Sequence, residues 1–278
     1  KRISFNKTYI KNTNIRNLFC SYFAYIDLKK LRKNIYHSDF WNGLISKNNP
    51  IIKDSHFLHI FFPTKKISYN KSLIAIKKIN KNSNNKHFFI EELFSAKIFF
   101  KIIKFWILNI LKFKLNEKNI KKSFIDKNLS GWFFFEDELV ESFCGTSVLI
   151  NMYYFYLFEK LSKNLPAVKK TFFLYENQGW EKSFIFNFKK INYNKIFAVQ
   201  HSTVRFWDLR YSINTSKNFI YENFQPHYYA VNGDDSMKKF IIAGYPLNKL
   251  KKIEAVRYDN ILRKRNLNFQ KKITYHQY

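Results

Sequence analysis

The chain has 278 residues, long enough to bury the core of one large domain, and with 46% hydrophobic and 20% aromatic residues it is not a disordered polymer. A formal charge of +29 invites a nucleic-acid reading, but of 49 basic residues only eight are Arg, and the lysines run along the whole chain instead of forming a stripe interleaved with aromatics. No nucleic-acid partner is therefore expected. The joint abundance of Lys, Asn, Ile, Phe and Tyr fits AT-rich coding, which leaves two readings of the charge: drift on a solvated surface, or attraction to an anionic lipid or glycan.

In chain order, Ile15–Ile26 reads as an apolar strand running into a loop, and Phe57–Phe62, stopped by Pro63, as a second strand. The Lys- and Asn-rich stretch from Lys77 to Lys86 reads as a loop or helix cap. Ala96–Leu115 is interrupted by Lys97, Lys101, Lys104 and Lys112, so its apolar runs fall short of the about 20 residues a membrane span needs. It reads as a basic amphipathic helix, either packed on the core with its lysines outward or lying on an anionic bilayer. Phe143–Leu161 is apolar all round and reads as one buried helix. From there strands alternate with helices: Thr171–Tyr175, helix Trp180–Lys190, Lys195–Gln200, His227–Val231, a turn at Asn232-Gly233, helix Ser236–Ala243, and a closing Gly244-Tyr245-Pro246. This alternation predicts an α/β fold, a Rossmann-like parallel sheet with helices on both faces. Cys20 and Cys144 lack metal-site spacing and read as buried free thiols in a reducing compartment, and His56 and His59, close together on an apolar strand, as packing residues.

In such a sheet ligands bind outside the carboxyl ends of the strands. Two segments fall there. In YENQGWE, Glu176 sits at a strand tip and is the candidate general base; Glu181, in the first helical turn, either faces the same crevice or complements the helix dipole. In QHSTVRFWDLRY, His201 and Asp208 join it as candidate catalytic groups. Trp207 suits stacking on a sugar face, and Arg205 and Arg210 suit holding a carboxylate or phosphate, unless Asp208 pairs with one of them and braces the loop. Asn177, Gln178, Trp180, Ser202 and Thr203 complete the candidate substrate-binding set. The chain carries neither a phosphate-binding glycine loop nor a dinucleotide fingerprint.

These two segments resemble the signature of bacterial surface carbohydrate (capsule and O-antigen) biosynthesis proteins, which are similar to GT-B glycosyltransferases. LFCSYFAYIDL, SDFWNGL, FLHIFF, AVNGDD, AGYP and IEAVRY fit the same pattern, so that the resemblance runs over most of positions 15–258. It implies two Rossmann-like halves with the active site between them, the first binding the acceptor and the second the donor. Residues 1–255 would form the acceptor-side domain, and 256–278 the start of a linker or a truncated second domain. The donor half is thus expected to be absent, leaving transfer by this chain alone in doubt. The resemblance further implies an activated nucleotide sugar as co-substrate with no other cofactor and a glycan or lipid-linked acceptor. The sequence shows no metal-ligand spacing, so no metal site is expected. The expected location is cytoplasmic, with the basic helix 96–115 as the candidate for a peripheral contact with the anionic inner face of the plasma membrane. The alternative is a non-catalytic scaffold of a polysaccharide assembly complex.

Overall fold

The structure, a computed structural model, describes residues 16–45, 49–65, 67–126, 129–130, 132–165, 167–191, 193–205, 208–211 and 222–258. Seven parallel strands form one sheet: β1 (Asn17–Tyr22), β2 (Ser55–Ile60), β3 (His87–Phe89), β4 (Lys170–Tyr175), β5 (Lys195–Gln200), β6 (Tyr228–Asn232) and β7 (Leu250–Ile253), in the order β3-β2-β1-β4-β5-β6-β7. The helices are α1 (Tyr69–Asn82), α2 (Ala96–Ser123), α3 (Trp132–Cys144), α4 (Thr146–Ser162), α5 (Gly179–Phe188) and α6 (Gly233–Ile242), with shorter helical turns between β1 and β2. The three predicted strands from Thr171 onward lie side by side in this sheet, and the α/β, Rossmann-like reading holds.

Both faces of the sheet are covered, which is why its central strands read as continuous apolar runs. On one face Leu18, Cys20, Phe173, Ile196 and Tyr229 pack under α2, α4, α5 and α6 through Ile102, Leu157, Phe184 and Phe240. On the other, Phe19, Phe57 and Leu174 pack under Leu73, Ile76 and Ile79 of α1 and under Phe40 and Trp41. One rung of rings crosses six strands on that second face. His87, Phe57, Phe19, Phe172, Phe197 and Tyr228 are successive partners in the strand register. Their centroids lie 4.7, 5.4, 4.8, 5.0 and 5.1 Å apart.

Several elements depart from the sequence reading. The Lys77–Lys86 stretch is mostly helix: α1 runs to Asn82 because Leu73, Ile76 and Ile79 present one apolar face to the core while the lysines point out. Phe143–Leu161 is two helices. Glu141 accepts hydrogen bonds from Thr146 Oγ1 (2.7 Å) and Ser147 N (2.9 Å), capping α4, and Gly145 leaves the room for that carboxylate that a Cβ would fill. Cys20 is buried as expected, whereas Cys144 at this break is only half-buried. Gly233 opens α6 instead of forming a separate turn, at φ +71° and with nothing near its missing Cβ, so backbone conformation alone calls for glycine. Gly244, at φ +90°, ends α6 with Tyr245 N donating to Phe240 O (3.0 Å). Strands β3 and β7 were not anticipated. The expected linker begins with a helical turn, Val256–Tyr258, that folds back on the domain; the residues beyond it lie outside the described ones.

His59 and His87 are fully buried with Nε2 and Nδ1 3.1 Å apart, and burial pushes both pKa values down, His59 to about 3. A base whose folded pKa lies below its unfolded value of 6.5 lends its full stability above pH 6.5 and loses it as the pH falls below that. The stability advantage of wild type over His87→Phe, measured by urea unfolding, should therefore shrink from pH 7 to pH 5 by up to about 1.4 kcal/mol per pH unit below 6.5. An advantage constant across that range would mean His87 titrates normally.

Candidate functional site

The chain lays down β1, β2 and β3 outward in one direction, then returns to place β4 on the other side of β1. At that reversal a cleft of about 1030 Å³ opens at the carboxyl ends of the strands, as the topology demands. Its floor comes from β4 and β5. Tyr175 is paired with Gln200 in the strand register, so the next residues, Glu176 and His201, emerge side by side. Glu176 Oε1 lies 3.0 Å from His201 Nε2.

The other Glu176 oxygen accepts from Gln178 Nε2 at 2.5 Å and lies 3.7 Å from Arg210 Nη1. The hydrogen bond from His201, and then the charge of Arg210, hold the Glu176 pKa below the ordinary carboxylate value. Gln178 cannot swing, because its Oε1 accepts from Tyr22 OH (2.8 Å) and from the Trp180 indole (3.1 Å). The His201 ring meets Phe40 edge-on at 5.2 Å, and its Nδ1 is buried without a hydrogen-bond partner among the described residues, so Nε2 is the ring nitrogen that meets Glu176. The result is a half-buried, ionised carboxylate held by two hydrogen-bond donors and a neighbouring guanidinium charge at the base of an open cleft.

Glu181 is 1% exposed and holds the loop from beneath: Oε1 accepts from Glu176 N and Oε2 from Asn177 N, both at 2.9 Å. Burial pushes its pKa up to about 8 against the pull of those donors. It faces the loop backbone, away from the cleft, and so positions Glu176. Asn177 takes φ +59°, a left-handed conformation that Asn tolerates, and its amide donates to the Arg210 carbonyl. Asp208 binds Arg210 through two hydrogen bonds of 2.8 and 2.7 Å, and this pairing lowers its pKa. Its carboxylate is therefore committed to bracing Arg210, the bland alternative raised from the sequence.

The predicted residues thus divide. Glu176, Gln178, His201 and Ser202 line the cleft, and Arg210 reaches Glu176 from its edge. Trp180 is buried, packed at 6.3 Å from Phe158 and 6.2 Å from Phe173, so no sugar can stack on it. Thr203 and Arg205 are exposed and outside the cleft lining. Trp207 lies outside the described residues.

The sequence reading missed the opposite wall. The segments leaving β1 and β2 supply Tyr25, Phe62 and Lys65, and Arg257 comes from the turn after β7. Tyr25 is 60% exposed at φ +52°, a strained conformation for an aromatic residue, with Phe40 at 5.1 Å and the Arg257 guanidinium 4.9 Å over its ring. The strand-end rule that singled out Glu176 and His201 applies equally to β1 and β2 and would have found these residues.

No family model matches the chain, and neither a curated protein nor a solved structure matches it.

Glu181→Ala should destabilise the protein by about 2–4 kcal/mol in urea unfolding, since two buried N–H groups lose their acceptor. Glu181→Gln, which keeps one acceptor oxygen, should cost less. Equal, near-zero losses would mean that water replaces the carboxylate and that the loop does not depend on it.

Proposed function

We propose that this domain binds the acceptor in a glycosyl transfer of surface polysaccharide biosynthesis, and that Glu176 takes the proton from the attacking hydroxyl. The observation that carries this reading is the Glu176–His201 pair, 3.0 Å apart, on the floor of a cleft wide enough for a sugar. A transfer needs a base that is ionised at neutral pH and aimed into the site. Glu176 meets the first condition through His201 and Arg210, and the second through Gln178 and the Glu181-held backbone. As the acceptor proton arrives on Glu176, the His201 hydrogen bond and the Arg210 charge keep the carboxyl group in place. Tyr25 and Phe62 offer apolar faces to sugar C–H edges, and Lys65 and Arg257 favour an acceptor bearing a phosphate or carboxylate. The donor in this reading is an activated nucleotide sugar.

The test is transfer of labelled sugar from a panel of nucleotide sugars to oligosaccharide and polyprenyl-phosphate-linked acceptors by the full-length gene product. Glu176→Gln should lower kcat about a hundredfold or more with little change in acceptor KM. Tyr25→Ala should raise acceptor KM with little change in kcat. Near-normal turnover of Glu176→Gln would overturn the assignment.

A further inference from the structure

Helix α2, 28 residues and about 42 Å long, has apolar residues on two opposite sides. Ile98, Ile102 and Phe113 are buried against the domain. On the far side Phe100, Ile107, Leu111 and Leu115 follow one another at helical spacing, 68, 49, 52 and 83% exposed. Helix α3, which packs beside α2, exposes Phe133 and Phe134 near its start, at 84 and 73%. Isolated exposed apolar residues are ordinary; a continuous stripe of this kind marks an interaction surface.

The charge beside the stripe narrows the partner. Helix α2 carries eight lysines and one acid, Glu117. Lys104 and Lys118 project within the stripe's own sector, at about 100° per residue. Of the four acids of α3, Glu136 lies 3.8 Å from Lys121 and Glu141 caps α4, while Asp137 and Glu138 are exposed, so the positive charge of the arm belongs to α2. A second copy docked face to face would set these lysines against their own kind. An anionic bilayer neutralises them while its acyl boundary takes the Phe and Leu side chains.

Topology places the distal part of α2 at the same end of the sheet as the cleft, although α2 packs on one face and the cleft residues Phe23, Ala24 and Phe40 belong to the core on the other. Asn151 of α4 abuts Gly179, which begins α5 at the carboxyl edge of the sheet. Helix α4 runs from there toward the amino edge, where β4 begins, so α3 and the distal part of α2 lie beyond the carboxyl edge. These two run antiparallel, joined by Trp106 Nε1 to Cys144 O (2.7 Å), Phe113 on Phe143 (5.4 Å) and Lys121 over Trp132 (5.0 Å). Among the described residues no helix is long and apolar enough to cross a membrane. We infer that the α2–α3 arm docks the protein peripherally on an anionic lipid bilayer. This holds whether or not the cleft performs glycosyl transfer.

The test is co-sedimentation of the purified protein with vesicles of phosphatidylcholine alone or with about 30% phosphatidylglycerol, a surface charge that basic segments sense. The protein should sediment with the anionic vesicles only, and raising NaCl to about 0.5 M should weaken binding by about tenfold. Leu111→Glu/Leu115→Glu/Phe134→Glu should abolish binding while leaving circular dichroism and Tm unchanged, because all three positions are exposed. Lys104→Glu/Lys118→Glu should weaken it with the apolar stripe intact. Equal binding to neutral vesicles would overturn the commitment to anionic lipid, and binding that survives the triple substitution would overturn the assignment to this arm. Absence of vesicle binding, or a solution dimer that the triple substitution dissociates, would overturn the proposal outright.

Discussion

The register of the parallel sheet is the constraint on which the site depends. A shift of one residue between β4 and β5 would turn alternate side chains to the wrong face and separate Glu176 from His201. The rung of stacked rings from His87 to Tyr228 opposes such shifts, because each strand interface carries one registered ring pair at about 5 Å, and a slip between β4 and β5 would break the Phe172–Phe197 pair. Aromatic cross-strand pairs contribute roughly 0.2–1 kcal/mol each, so each of the five interfaces carries its own modest penalty against misregister. A packing feature on one face of the sheet thereby fixes chemistry at its edge.

From that register outward, each functional side chain is held by a partner that does no chemistry. Gln200 ends β5 with its amide donating to Ser202 O (2.8 Å) and Ser236 Oγ (3.1 Å) and accepting from Asn232 N (2.9 Å), which ties the His201 turn to β6 and α6. Tyr211 OH donates to Tyr175 O (3.2 Å), bringing the Asp208–Arg210 segment back to the end of β4. Tyr175 OH shares a 2.7 Å hydrogen bond with Tyr245 OH beneath them. Rigid supporting shells of this kind hold a base in place before substrate arrives, and so lower the reorganisation needed during reaction.

The sequence made the strands legible because buried parallel strands are short apolar runs between turn signals, as in TFFLY and KIFAVQ. It made half of the site legible for a related reason: residues that follow adjacent strands must be neighbours. The register itself was not legible, since it arises from pairing rings in distant segments. Helix α1 was obscured by Lys and Asn, although Leu73, Ile76 and Ile79 keep helical spacing. The break at Gly145 was signalled by the Gly-Thr-Ser sequence but masked by apolar residues on both sides. Glu181 illustrates another difficulty, because a carboxylate in a first helical turn looks the same in sequence whether it faces a ligand or its own backbone. Only the positions of Glu176 N and Asn177 N distinguish the two.

The excess of positive charge can now be placed in physical terms. The number of lysines says little by itself; the fold decides where they act. At the cleft the cations are few and constrained: Arg210 is bound by Asp208 and faces Glu176, and Arg257 lies over Tyr25 and Phe40. Arg suits those places because a planar guanidinium can form two hydrogen bonds and stack on a ring, whereas an ammonium group offers a strongly hydrated point charge. On α2 the lysines flank an apolar stripe, where flexible stems and diffuse attraction suffice and exact geometry matters little. Two of the arginines, Arg210 and Arg257, thus hold directed contacts at the cleft, beside Lys29 and Lys65 in its lining, while Arg16, Arg32 and Arg205 stand exposed on the surface. The sequence singled out Arg205 and Arg210 together and only the structure joins Arg210 to Glu176, just as the lysine-rich helix could be understood only after the structure showed which of its faces stays uncovered.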